Sequence, residues 1–301
     1  MIWIFVNFAG QNISLQFILD INMFQPFSLN IRGEHRSCSR PLVMGIVNVT
    51  PDSFFDGSRT MDEEAIAERV LRQVSDGADI IDIGAYSSRP GAADVSPEEE
   101  IARLRTGMRV LRSVAPDVLV SVDTFRACVA REAIEDMGAD MINDISGGDL
   151  DRDMFSTVAG MRVPYILMHM RGTPSTMQTM TDYNDVSADV IADLSRKLRE
   201  LRLLGVADVI VDPGFGFGKT TEQNFEMMRN LECFGALGCP VLVGISRKSM
   251  ITRTFDITPA EALAPTVALN TIALTRGAAI LRVHDVKEAV YTVRLFELAT
   301  L

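Results

Sequence analysis

No Ser-His-Asp or Cys-His arrangement can be traced in this chain, so a covalent enzyme intermediate is not expected. Its four cysteines, Cys38, Cys128, Cys233 and Cys239, lack metal-ligand spacing and suit free thiols in a reducing cytoplasm. An excess of basic residues is also missing. Lys and Arg number 29 against 40 Asp and Glu, a net charge of −11. That balance argues against nucleic acid or an anionic membrane as the main partner. It leaves room for a small anion held by local Arg and Lys. Long apolar runs are absent as well. Residues 1–8 begin like a signal peptide but carry no basic start, and Asn7, Gln11, Asn12 and Gln16 interrupt the run. Residues 1–26 are therefore read as a poorly ordered or strand-like extension, with Met23 as an alternative start. Residues 42–301 contain no linker or low-complexity stretch, so 27–301 reads as one domain with 47% hydrophobic residues in the chain to build its core.

From residue 42 onward, short β-branched runs alternate with stretches of helical period. The runs are 43–48, 79–83, 118–122, 141–143, 165–168, 208–211, 241–245 and 279–283. The helical stretches include 62–76, 97–114, 125–138, 186–204, 221–231 and 259–276. Eight strands alternating with helices predict an α/β fold, the (β/α)8 TIM barrel, over an open doubly wound sheet. Gly77-Ala-Asp79, Gly138-Ala-Asp140, Gly277-Ala-Ala279 and the variant Gly205-Val-Ala-Asp208 form a weak repeat. Each ends a helix on glycine and launches a strand, as expected at the bottom of a barrel. Residues 27–41 are expected to form a small hairpin plugging that bottom.

The most distinctive stretch is Asp212-Pro-Gly-Phe-Gly-Phe-Gly-Lys219, directly after Val209-Ile-Val211. It is not a phosphate-binding P-loop, because Pro213 stands where the first glycine is needed. It is not a dinucleotide fingerprint either, because Lys219 occupies the third glycine position. Phe215 and Phe217 have no local packing partner, so both are expected to face a bound ring or cap a pocket. The plain alternative is a mobile surface loop.

In a barrel, the loops after the strands build the site. The strand ends here carry Asn48 with Thr50 and Asp52, Asp82 with Ser87-Ser-Arg-Pro90, Asp123, Asn143-Asp144, His169, Asp212, Ser246-Arg-Lys248, and Arg282 with His284 and Asp285. Turn chemistry and N-caps explain two or three of these, not eight. Asp123, Asn143 and Asp212 suit an uncharged, donor-rich heterocycle. Arg89, Lys248, Arg282 and His284 are read as cations suited to an oxyanion. Asn48 and Asp52 could hold Mg²⁺ beside a pyrophosphate. The competing reading of Asp123 is an N-cap for 125–138, and that of His169 a satisfied core histidine.

These motifs resemble one family. Met44-Gly-Ile-Val-Asn-Val-Thr-Pro-Asp-Ser-Phe54, Ser88-Arg-Pro-Gly91, Val122-Asp-Thr124, Asn143-Asp-Ile-Ser-Gly147, Leu167-Met-His-Met170, the 212–219 stretch, Ser246-Arg-Lys-Ser249 and Arg282-Val-His-Asp285 look like the signatures of dihydropteroate synthase, in family order over about 42–298. The resemblance implies a homodimeric TIM barrel. It implies an enzyme that joins 6-hydroxymethyl-7,8-dihydropterin pyrophosphate to p-aminobenzoate in folate synthesis. It places Asp123, Asn143, Met168, Asp212 and Lys248 at the pterin, and Asn48, Arg89, Arg282 and His284 at the pyrophosphate and Mg²⁺. Ser88, Pro90, Phe217, Ser246 and Lys248 fall at the p-aminobenzoate. It also implies that the loops after the first two strands close over the anion. One departure stands out: residues 84–91 read Gly-Ala-Tyr-Ser-Ser-Arg-Pro-Gly, with Tyr86 and Ser88 where the family commonly has glutamate and threonine. A pterin-dependent methyltransferase shares the barrel and the Asp/Asn pocket but does not need Asn48, Arg89, Arg282 and His284. A catalytically silent pterin-binding paralogue should have lost one of these groups.

Overall fold

The computed structural model describes residues 24–49, 59–86 and 95–300, apart from the side chains of 59–62. A hairpin comes first, β1 (Phe27–Ile31) and β2 (Glu34–Cys38). Eight parallel strands follow: β3 (Leu42–Asn48), β4 (Ile80–Gly84), β5 (Leu119–Asp123), β6 (Met141–Asp144), β7 (Tyr165–Met168), β8 (Val209–Asp212), β9 (Val241–Val243) and β10 (Ala278–Val283). They close in the order β10-β3-β4-β5-β6-β7-β8-β9. The chain is a (β/α)8 barrel. The helices α1 (Arg59–Ser75), α2 (Pro97–Val114), α3 (Ala127–Glu135), α4 (Met154–Met161), α5 (Val186–Leu203), α6 (Thr221–Arg229), α7 (Ser249–Phe255), α8 (Leu263–Thr275) and α9 (Val286–Thr300) surround it. No described helix is long and apolar enough to cross a membrane.

Period-two alternation sorts each strand. Val43, Val47, Ile81, Ile83, Val120, Val122, Val209, Val211, Leu281 and Val283 face outward into the core shared with the helices. Met44, Ile80, Met141, Ile166, Ile210, Leu242 and Ile280 face inward and fill the lower barrel. The helix stripes follow from sequence in the usual way. In α2, Ser96 caps the first turn by accepting from the Glu99 N–H, Pro97 follows, and Leu104, Met108 and Leu111 are buried.

The expected hairpin closes the bottom. Leu29, Ile31 and Cys38 are buried against the inward layer. Phe24 packs on both clusters and lies edge-on to Phe27 at 6.1 Å. Residues 1–23 lie outside the described residues.

The Gly-Ala-Asp repeat gains a physical role here. Gly77, Gly138, Gly205 and Gly277 take left-handed backbone at helix ends. The aspartates that follow then serve as acceptors for neighbouring strands. Asp79 accepts from the Val43 N–H at 2.8 Å and Asp140 from the Val120 N–H at 2.8 Å. Asp208 accepts from Asn30 of the hairpin at 2.9 Å. Arg40 pairs with Asp79, and Arg32 and Arg112 both pair with Asp140. These carboxylates sit at strand starts and tie neighbouring strands and the hairpin together, so this end serves stability.

Candidate active site

At the other end, the inward alternation changes character. Above Ile80, Leu119, Met141, Ile166, Ile210 and Ile280 come Asp82, Ser121, Asn143, Met168, Asp212 and Arg282. The same parity then brings Asn48, Gly84, Asp123, Ser246 and His284 to the mouth. Seven of the eight strands therefore aim polar groups at one axis, and β7 brings Met168.

Arg282 is the hub. Its guanidinium donates to Asp82 Oδ2 from Nε at 2.7 Å and to Asp123 Oδ2 from Nη2 at 2.9 Å. Asn143 donates from Nδ2 to the same Asp82 oxygen at 3.0 Å. Asp82 is fully buried and its Oδ1 has no partner. In the sequence Asp82 stands at a strand end, where nothing local marks it for a role. Its inward parity with Ile80 and Gly84 was the available signal. Gly84 leaves the space beside Asp123, since a Cβ there would come within 3.2 Å of the Asp123 Cβ.

Met168 forms the apolar side, packed with Ile145, Met170 and Met177 against Phe125 and Phe217. Tyr86 meets Phe125 edge-on at 5.0 Å. The Arg126 guanidinium lies 5.3 Å from the Tyr86 ring centre and forms an ion pair with buried Glu100. The family's glutamate is thus replaced by a ring in an aromatic and cationic stack. Asp123 does not cap α3. That helix begins at Ala127, whose N–H donates to Asp151 Oδ2 at 2.7 Å, while Asp123 is committed to Arg282.

The glycine-rich loop collects cations rather than anions. Gly214, Gly216 and Gly218 all have positive φ, at 72°, 82° and 61°. At Gly214 nothing but hydrogen fits: a Cβ would lie 2.0 Å from the His169 carbonyl oxygen. This folding points carbonyls at two lysines. Lys219 Nζ donates to Gly214 O at 2.9 Å and Phe217 O at 3.0 Å. Lys248 Nζ donates to Phe215 O and stands 4.6 Å from the centre of the Phe217 ring. Asp212 Oδ1 accepts the Gly214 N–H at 2.7 Å, and buried Asn224 accepts the Gly216 N–H at 2.7 Å. The two phenylalanines part company. Phe217 borders the site as expected. Phe215 is fully buried in the outer core, a correction to its expected place at a bound ring. Residues 215 and 217 share parity in sequence, but Gly216 reverses the chain between them.

Burial sets the proton affinities. It raises Asp123 to about 7, opposed by Arg282 and reinforced by Asp82, although Asp123 keeps 24% of its side chain open at the mouth. It raises Asp212 too, with Lys248 opposing. It lowers Lys248 to about 8 against the pull of Asp212. For Arg282 burial works against the charge, but Asp82 and Asp123 outweigh it and the guanidinium stays ionised. His284, expected as a cation, is not one. Burial, then Arg282, lower it to about 4, so the ring is neutral at physiological pH. Its backbone N–H donates to Ser246 Oγ at 3.2 Å, which ties the ends of β9 and β10.

Four strand-end groups serve structure instead. Asp144 faces outward and accepts from the Tyr165 hydroxyl at 2.7 Å, from Ser146 and from the Gly148 N–H. His169 is buried and bonded to Lys219, so the core-histidine reading holds. Arg247, beside Lys248, forms a two-pronged bond to Asp285. Asp52, Ser88, Arg89 and Pro90, with both loops expected to close over the anion, lie outside the described residues.

Comparison with known proteins agrees with this geometry. Residues 44–284 match the family described as pterin binding enzyme. The dihydropteroate synthase of Synechocystis sp. is 44% identical over 251 residues, 82% of this chain and 86% of its own. The folate synthesis bifunctional protein of Arabidopsis thaliana is 42% identical over 84% of this chain, which spans 55% of that longer protein. A solved structure of Xanthomonas albilineans dihydropteroate synthase with 4-aminobenzoic acid superposes with a TM-score of 0.84 at 38% identity, covering 91% of this chain and 98% of that one. With the barrel and its polar inner surface both in place, the chain belongs to the pterin-binding enzyme family, among its dihydropteroate synthases.

Proposed function

We propose that this enzyme condenses 6-hydroxymethyl-7,8-dihydropterin pyrophosphate with p-aminobenzoate, giving 7,8-dihydropteroate and pyrophosphate. The observation that carries this reading is Arg282 held between inward Asp82 and Asp123, with Asn143 and Asp212 on the same inner surface. Asp123, Asn143 and Asp212 offer acceptors and an amide to the edge of a pterin whose N–H groups need partners. Met168 lies against its ring, and Lys248 reaches its polar rim. The related Xanthomonas enzyme, seen with 4-aminobenzoic acid, supports the aromatic amine as second substrate. Ser88, Pro90, Phe217, Ser246 and Lys248 are assigned to it.

The reaction is proposed to be dissociative. The carbon–oxygen bond breaks first and its electron pair leaves with pyrophosphate. Arg89, Arg282, Asn48 and the neutral imidazole of His284 receive that anion. As the anion engages Arg282, Asp82 and Asp123 lose their shared counter-charge. Their carboxylates then stabilise the positive charge left on the pterin. The lone pair of the arylamine forms the new carbon–nitrogen bond, and the nitrogen gives up a proton to water or to the released pyrophosphate. No strong base is needed, in keeping with the absence of a nucleophile–base pair.

Magnesium is proposed to bind here in company with its substrate. Among the described residues no group of three His, Cys, Asp or Glu could hold a metal alone. Asn48 offers one hard oxygen at the end of β3, and Mg²⁺ commonly keeps several waters and binds through one or two protein oxygens plus phosphate. Asn48, with Asp52, is the proposed protein contribution, and the ion would neutralise the leaving pyrophosphate.

Pyrophosphate release from purified enzyme, both substrates and Mg²⁺ tests the assignment. Release must depend on p-aminobenzoate, and its absence would sink the reading. Asp123→Asn is expected to lower kcat/KM roughly 10²-fold. Because Asp123 caps no helix, the thermal transition should stay cooperative. A collapsed transition would return Asp123 to a structural role.

The free thiols of all four cysteines support a cytoplasmic setting. A homodimer is proposed from the exposed apolar side chains of α9, Tyr291, Leu295 and Leu298. Sedimentation at micromolar concentration should give twice the 33.1 kDa chain mass; a monomer there refutes the dimer.

A further inference from the structure

Lys219 is absorbed by neither the pterin nor the anion assignment. The residue is 5% exposed at the end of the glycine-rich loop, directly before Thr220, the N-cap of α6. Burial lowers Lys219 to about 7 against the pull of Asp212, and in its ammonium form its three N–H donors face three acceptors. These are Gly214 O at 2.9 Å, Phe217 O at 3.0 Å and His169 Nδ1 at 3.1 Å. The third contact requires the Nε2–H tautomer of a neutral imidazole. Burial and the neighbouring Lys219 charge supply that neutrality by lowering His169 to about 2.

The tripod holds Phe217 through both of its backbone groups. Its carbonyl is bound by Lys219, and its N–H donates to Gly214 O at 3.1 Å, the same oxygen Lys219 grips. Its ring is left between Lys248 and the Met168 cluster. With Gly216 and Gly218 on either side in left-handed backbone, the glycine-rich chain itself does little to fix that ring. We infer that Lys219 is a positioning residue for the aromatic amine: by bonding Gly214, Phe217 and His169 at once, it fixes the Phe217 ring against which the amine's ring lies. The inference rests on the proposed place of p-aminobenzoate beside Phe217.

Two-substrate kinetics on the full-length enzyme test it. Lys219→Met keeps the length and removes all three donors. The KM for p-aminobenzoate is expected to rise about tenfold, while kcat and the KM for the pterin pyrophosphate stay within about twofold. A parallel rise in both KM values, or no change in either, overturns the inference. Phe217→Ala is run beside it. If Phe217→Ala raises the p-aminobenzoate KM and Lys219→Met does not, the inference fails while the place of the amine stands. If neither does, the place of the amine fails and takes the inference with it. Should Lys219→Met not fold, His169 gives a second route. His169→Gln retains an acceptor and is expected to stay near wild type, whereas His169→Leu should raise the same KM about threefold. Equal behaviour of the two His169 variants counts against the tripod.

Discussion

Arg282→Met is expected to lower kcat/KM by roughly 10³-fold and to make stability fall with rising pH. The guanidinium is the only cation that an ion pair links to both Asp82 and Asp123 among the described residues. Methionine matches its length and leaves two inward carboxylates facing each other. With Arg282 present, burial already raises Asp123 to about 7, against 3.8 for the unperturbed group. Arg282 opposes that rise, so its removal pushes the carboxyl higher still. The folded chain then keeps a proton that the unfolded chain has lost. Stability tied to that proton is present at low pH and disappears as pH climbs through the folded value. The difference in urea midpoint between variant and wild type should therefore widen from pH 6 to pH 8. A difference independent of pH would mean that Asp123 does not titrate in this range. Wild-type turnover in the variant would remove Arg282 from the anion site.

Gly214→Ala should cost at least about 4 kcal/mol, enough to unfold many domains of ordinary stability. Two penalties add. A φ of 72° places alanine in the left-handed region, and the new Cβ would sit 2.0 Å from the His169 carbonyl oxygen. That oxygen belongs to backbone at the end of β7 and cannot rotate away. Gly216→Ala is the informative comparison. Its φ is 82°, but its Cβ would meet the Lys248 chain at 3.2 Å, and a lysine stem can move. We expect a cost of about 1–2 kcal/mol there. Thermal or urea denaturation of the pair decides, and a Gly214→Ala variant within 1 kcal/mol of wild type would refute the close approach.

Much of this could be read from sequence because it is local. The β-branched runs at 43–48, 118–122 and 208–211 are strands within a residue of the structure. The inward set Asp123, Asn143 and Asp212 follows from parity once the strands are known. Helix boundaries fared less well where side chains compete for backbone. Residues 259–262 read as helix, yet Glu261 accepts from the Thr258 N–H and Pro259 O accepts from Arg247, so α8 starts at Leu263. Helix α7, at seven residues, is too short to show a period. The Arg282 hub was out of reach. Its partners lie 200 and 159 residues away, and only closure of the barrel brings them together. The fate of Phe215 and Phe217 was equally hidden, because a glycine between two residues erases the parity that tells their faces apart.

The alternation inside the barrel also divides the labour of selection. Along β5, Val120 and Val122 answer to the helices behind them, while Ser121 and Asp123 face the barrel axis, where the proposed site lies. Neighbouring codons in one strand therefore protect different things, abundance at one and turnover at the next. A single inserted residue would exchange the two roles along the whole strand, so length change can accumulate in the loops but not between Leu119 and Asp123.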